Sequence, residues 1–156
     1  VHGVATAAGC QLVASCDLAI ASDHARFATP GVNIGLFCST PAVALTRNVA
    51  YKHAMEMLFT GDLIDAATAQ RIGLVNRVVP TGELDAATGA LAAQIASRPP
   101  AVLSLGKAAV QAQIGLNEAA AYADMSATMA RNLLMAEAAE GIDAFLAKRP
   151  PNWPAA

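Results

Sequence analysis

Aromatic residues make up only 4% of this 156-residue chain and charged residues only 14%. With so few rings and a formal net charge of −2, the chain offers neither a stacking platform for bases nor a basic field for phosphates, so no nucleic-acid partner is expected. Cysteine is scarce as well. Cys10, Cys16 and Cys38 are odd in number and show no C-x-x-C spacing; they read as reduced thiols in the core of an intracellular protein. His2, His24 and His53 are scattered, with no second ligand at a metal-binding interval, so no metal site is expected. No apolar run reaches the length of a membrane span, and the N-terminal residues lack the charged start and cleavage pattern of a signal peptide. There is no G-x-S-x-G elbow, P-loop or G-x-G-x-x-G, and Ser15-Cys16-Asp17 reads as a helix end feeding a strand rather than as a triad.

What the chain does have is apolar mass. Hydrophobic residues reach 55%, more than a self-contained domain needs, which points to surface that meets another chain or a missing segment. The length suits one ordinary domain with a sizeable core. A start at Val1, without methionine and inside a strand-to-turn pattern, fits a truncated or partly observed chain.

Along the sequence, short strands come first and helices last, which predicts a layered α/β core followed by a helical part. The first strand ends near Gly3, and small residues from Ala5 to Gly9 lead into a helix-like segment. Asp17 to Ala21 and Arg26 to Ala28 read as strands before the turn at Pro30-Gly31. The pattern from Thr40 to Phe59 is helical and stops at Thr60-Gly61; Asp65 caps a short helix, 66–72, that ends at Gly73, and Leu74 to Val79 is a strand closed by Pro80. Further helices are expected over 84–97, 101–114, 118–139 and 142–148, broken by Pro99-Pro100, Gly115 and Gly141, with a frayed PPNWPAA tail. Two regions follow: 1–80, a strand-bearing core, and 81–156, helical.

The turn near the start carries the chemistry. Small residues between a strand and a helix let backbone N–H groups approach a ligand, and N–H groups aimed at a carbonyl oxygen form an oxyanion hole. The segment HGVATAAGCQL, then DLAIA, then FATPG resembles the enoyl-CoA hydratase/isomerase (crotonase) superfamily, whose members carry N/H-G-x-A-x-G-G-G-x-E-L, a strand, and F-x-x-P-E. AMEMLFTGDLIDAATAQRIGLVNRVVP and EGIDAFLAKRPPNW resemble two later motifs of the same family, so the likeness covers essentially the whole chain. It implies an α/β fold, the crotonase (ClpP-like) ββα superhelix, with this chain as the C-terminal part of the core plus a helical trimerisation region. It also implies an acyl-CoA or enoyl-CoA ligand, a homotrimer or hexamer, and no cofactor beyond the thioester substrate. A bacterial source would place the protein in the cytoplasm, and a eukaryotic one allows the mitochondrion.

By position, the resemblance makes Ala8 the second backbone oxyanion donor, the first lying upstream of Val1. Where hydratases carry their two glutamates, this chain has Gln11 and Gly31. An amide orients water but accepts no proton near neutral pH, and glycine has no side chain. Each acid–base group is worth about 10²–10⁴-fold, so ordinary hydration is not expected. Gln11 either lines a pocket or pairs with neighbouring backbone. Thr29 is the candidate substrate contact in the wall after Phe27, with Asn33, Ser39 and Thr40 as either pocket or turn residues. Asp62 lies near a loop that some isomerases of the family use for an acid, but Thr60-Gly61-Asp62 is also an ordinary helix stop, and the stop is the reading taken here. Phe145 and Lys148 match positions that reach the CoA adenine and phosphate in the family; the alternative is a packing Phe and a solvated Lys. An acyl-CoA enzyme of altered chemistry and a non-catalytic binding or assembly subunit both remain open.

Overall fold

A computed structural model describes residues 1–153. The chain divides into two compact units, one from Val1 to Ala90 and one from Leu91 onward.

In the first unit, β1 (Val4–Thr6) runs parallel to β3 (Arg26–Ala28) with Thr6 opposite Ala28, and β3 pairs antiparallel with β4 (Ile64–Asp65). A second sheet joins β2 (Ile20–Ser22) to β5 (Arg77–Val79) in parallel. Parallel partners need a crossover, and α1 (Ala8–Ser15) lies in the one from β1 to β3. Its Cys10, Val13 and Ala14 recur at i, i+3 and i+4 and are buried. α2 (Ser39–Asn48), α3 (Tyr51–Thr60) and α4 (Ala66–Arg71) complete the unit. Phe27, Leu45 and Leu58 are among its largest fully buried side chains, so the core sits between β3 and helices α1 to α3.

Several local signals act as the sequence predicts. The Asp65 carboxylate accepts the Thr68 N–H at 2.8 Å and caps α4. Gly61 and Gly73 end helices at φ values of 67° and 84°, a region costly for other residues. Others differ. The pattern over 40–59 is two helices, split at Val49 and Ala50, both extended. The strand expected over 74–79 shrinks to Arg77–Val79, because Leu74 and Val75 turn into the core and their N–H groups bond the Ala69 carbonyl. Cys16 is exposed, unlike Cys10 and Cys38, because it follows the last turn of α1 instead of sitting on its packed face.

The helices that follow are α5 (Leu84–Ala96), α6 (Pro100–Gln113), α7 (Glu118–Leu133) and α8 (Ala136–Leu146). The break expected at Gly141 falls instead at Leu134 and Met135, and α8 runs through Gly141. That glycine has a packing role: a Cβ there would lie 3.4 Å from the Trp153 ring, so its bare backbone seats the indole. The tail through Trp153 is therefore tied rather than frayed. Trp153 Nε1–H donates to the Ser97 carbonyl at 3.0 Å, the Asn152 N–H donates to Glu140 Oε1 at 2.6 Å, and Arg149 grips both Glu140 oxygens at 2.6 and 2.9 Å. The last residues of the expected frayed tail, 154–156, lie outside the described residues.

Candidate functional site

The site starts where β1 runs out. Ala7 still donates its N–H to the last residue of β3, at 3.0 Å from the Ala28 carbonyl, and then turns sharply with φ 48° and ψ −114°. A positive φ on a residue with a Cβ is costly and needs support from its surroundings. Here the strand pair holds one side, and the first helical bond, Gln11 N–H to the Ala7 carbonyl at 2.9 Å, holds the other. The N–H groups of Ala8, Gly9 and Cys10 precede that bond and have no acceptor within the helix. No side chain caps them and no acidic residue occupies the first turn. The consequence is an uncapped, electropositive helix end at the C-terminal end of a parallel strand, where open α/β sheets bind ligands.

Gln11 is half-buried one turn into α1, and its amide makes no hydrogen bond within the described residues. Its carbonyl accepts from Ser15 Oγ at 2.8 Å. Gly31 opens a short 3-10 turn, Pro30–Ile34, that folds back on itself. Its N–H points to Cys38 Sγ at 3.3 Å, and its carbonyl accepts the Leu36 N–H at 2.9 Å. A Cβ on residue 31 would stand 2.7 Å from the Leu36 carbonyl oxygen and 2.9 Å from Cys38 Sγ. Residue 31 is thus closed to any side chain while this turn keeps its shape.

Thr29 is fully buried, and its hydroxyl donates to the Met57 carbonyl at 2.9 Å. Ser39 opens α2 with its hydroxyl on the Phe37 carbonyl at 3.3 Å, and Thr40 is exposed. Cys10 is inert as a nucleophile because burial, aided by the neighbouring Cys38, pushes its thiol up to about 11. Phe145 and Lys148 belong to the second unit; both are exposed, and Lys148 ends α8 with φ 51°.

A recess of about 350 Å³ opens beside the turn, lined by Val4, Thr6, Ala28, Pro30, Asn33, Gly61, Asp62 and Leu63. It brings together the ends of β1 and β3, the Pro30–Ile34 turn and the loop after α3. Gly61 makes the junction possible, since a Cβ there would come within 3.1 Å of Pro30 and Val32 and 3.2 Å of the Asn33 amide. Among the described residues, Asp62 is the one carboxylate in the lining. It also edges a second recess, of about 280 Å³, that holds His53, Glu56, Thr60 and Arg71. Two other acidic groups of this unit have structural work: the Thr81 hydroxyl holds Asp23 below the usual carboxylate range, and the Thr68 backbone N–H does the same for Asp65. In sequence Asp62 reads as a helix stop with a family acid as the alternative; the fold adds that it borders this recess.

Residues 1–155 match the enoyl-CoA hydratase/isomerase family model. The chain belongs to that family. The mouse protein named enoyl-CoA hydratase domain-containing protein 3, mitochondrial, is 54% identical over 153 residues, covering 98% of this chain and 51% of that protein. A crystal structure of an enoyl-CoA hydratase from Mycobacterium smegmatis superposes with a TM-score of 0.96 at 54% identity, covering 98% of this chain and 60% of that one. The crystal structure of human enoyl-CoA hydratase domain-containing protein 3 gives a TM-score of 0.93 at 55% identity, over 97% of this chain and 60% of the other. The fold is therefore the crotonase type, and this chain matches the C-terminal part of it. It spans about half the length of the curated relatives it matches. Among the described residues no helix is long and apolar enough to cross a membrane.

Proposed function

We propose that this enoyl-CoA hydratase/isomerase family protein binds an acyl-CoA thioester and stabilises its enolate through backbone N–H groups at the start of α1, without the glutamate pair of ordinary hydratases. The observation that carries this reading is the uncapped first turn of α1: the Ala8 N–H is left unbonded by the helix, held in place by the Ala7 turn, and unopposed by acidic charge. Fixed donors of this kind contribute most where charge develops in the transition state, as it does on a thioester oxygen when the α-carbon loses a proton.

Gln11 and Gly31 give the reading its sharper edge. Neither transfers a proton, and the closed turn at Gly31 supports a chemistry already adapted to the loss rather than one awaiting a simple replacement. Thr29, bonded to Met57, supports the wall instead of offering its hydroxyl to ligand. Phe145 and Lys148 are assigned to the CoA adenine and phosphate, reached on a neighbouring copy in a homotrimer or hexamer. The mitochondrial label of the vertebrate relatives supports that compartment if the source is eukaryotic.

The test is titration of the intact protein with butyryl-CoA and with free CoA, beside loss of the conjugated thioester absorbance of crotonyl-CoA. Tighter binding of the thioester and slow hydration are expected. No preference for the thioester would overturn the oxyanion reading, and hydration at the rate of a two-glutamate hydratase would overturn the claim that the missing carboxylates matter.

A further inference from the structure

We infer that the recess between α3 and α4 is a second binding site, for a small zwitterion that carries an ammonium group and a carboxylate on an apolar body. No residue of α1 and none of the Pro30–Ile34 turn borders this recess, so it stands apart from the acyl-CoA reading above. Its volume of about 280 Å³ lies at the small end for ligand sites and suits a molecule the size of an amino acid. Helix α3 supplies Glu56 and α4 supplies Arg71, while Asp62 comes from the loop between them.

The charges in the lining are unspent. The Asp62 side chain makes no hydrogen bond or ion pair among the described residues. Glu56 has only His53 beside it, with 4.0 Å between Oε2 and Nδ1, the outer limit of an ion pair. Arg71 makes one long hydrogen bond, from Nη2 to Thr68 Oγ1 at 3.4 Å, and no ion pair among the described residues, which leaves most of its five donors open. Asp65, which Arg71 attracts at longer range, is already taken by the Thr68 N–H at 2.8 Å. Elsewhere in the chain such groups are used: Arg149 grips Glu140 at 2.6 and 2.9 Å.

Charges of both signs that do not pair with each other select a ligand that brings both. A simple anion would suit Arg71 but meet Glu56 and Asp62, and a simple cation would meet the reverse. An amino-carboxylate satisfies the set, its ammonium donating to Glu56 and Asp62 and its carboxylate accepting from the Arg71 fork. The rest of the lining is apolar, with Met57 and Ile72 buried and Ile64 half-buried. That surface takes an aliphatic side chain and keeps water from screening the ionic contacts.

The experiment is titration of the intact protein, by calorimetry or ligand-observed NMR, with L-leucine, with isovalerate, which lacks the ammonium, and with isopentylamine, which lacks the carboxylate. L-leucine should bind, and each one-charge analogue should bind about tenfold more weakly or worse, the span for one charge-assisted contact. Glu56→Gln should weaken L-leucine and isopentylamine but leave isovalerate unchanged; Arg71→Gln should weaken L-leucine and isovalerate but leave isopentylamine unchanged. Both side chains are exposed, so the melting temperature should hold in each variant. Failure of L-leucine to bind, binding no tighter than that of both analogues, or parent affinity in both folded variants would overturn the site. Butyryl-CoA affinity, measured on the same samples, should not change in either variant, and its outcome in the parent tests the acyl-CoA reading separately.

Discussion

Gly31 and Cys38 are locked together: the Cys38 sulfur receives the Gly31 N–H at 3.3 Å and would lie 2.9 Å from any Cβ placed on residue 31. The Leu36 carbonyl closes the other side at 2.7 Å. The absence of a carboxylate here is thus a property of the backbone turn as much as of one side chain.

If the proposed reading holds, placing glutamates at residues 31 and 11 should fail at the first position and be tolerated at the second. Gly31→Ala is expected to destabilise the protein by about 1–3 kcal/mol through overpacking against backbone that has nowhere to go, and Gly31→Glu by at least as much. Gln11→Glu sits on a half-buried helical position and should fold normally. Denaturant unfolding of the three variants, beside crotonyl-CoA hydration, checks both halves. A Gly31→Glu protein of parent stability would show that the turn opens readily.

Ala7 holds a conformation that glycine adopts more easily. Its φ of 48° with ψ of −114° stores strain of order 1–3 kcal/mol. Ala7→Gly offsets that against about 0.5–1 kcal/mol of added chain entropy. A small net stabilisation is expected by thermal melting, whereas Ala7→Val should lower the melting point because a β-branched side chain resists a positive φ.

Thr29 separates wall from ligand contact. Thr29→Val keeps the shape but removes one of two donors on the Met57 carbonyl, which still accepts the Gly61 N–H at 3.1 Å, at a cost of about 0.5–1.5 kcal/mol. Thr29→Ser keeps the hydroxyl and should cost less. Butyryl-CoA affinity of the folded variants should match the parent; a large affinity loss in Thr29→Val would return this hydroxyl to the ligand.

Acid should release the tail. Arg149, with help from the Asn152 N–H, lowers the Glu140 carboxyl from an ordinary 4.5 to about 2. A group with a depressed folded pKa contributes its stabilisation above the unfolded value and loses it as pH falls towards the folded one. The clasp should thus be complete above about pH 4.5 and fade towards pH 2. Trp153 is the only tryptophan, so its fluorescence reads the change directly. Glu140→Gln should show the released signal at neutral pH, and a spectrum insensitive to that substitution would contradict the clasp.

What the sequence reveals here is what is decided locally. Asp65 caps α4 and Gly61 and Gly73 end helices because each acts within a few residues of itself. The strand at Arg26–Ala28 is legible for the same reason. Gly141 misleads because helix breaking and the seating of a distant indole call for the same residue, and the real break at Leu134 and Met135 carries no glycine or proline to mark it. At the candidate site the sequence, by its resemblance to the family, suggests that Gln11 and Gly31 stand where carboxylates would be expected. It does not show that residue 31 has no room for one, nor that Asp62 meets Thr6 across a recess, because both depend on chain segments brought together only by folding.

The cysteines offer a practical handle. Cys10 and Cys38 are shielded in the interior, and Cys16 alone faces solvent, at the far end of the helix whose first turn is left uncapped. Of the three cysteines of this chain, a maleimide dye should attach only at Cys16. That would set a single reporter about one short helix-length, roughly 12 Å, from the proposed oxyanion donors, so ligand arrival could be followed by fluorescence without altering any residue.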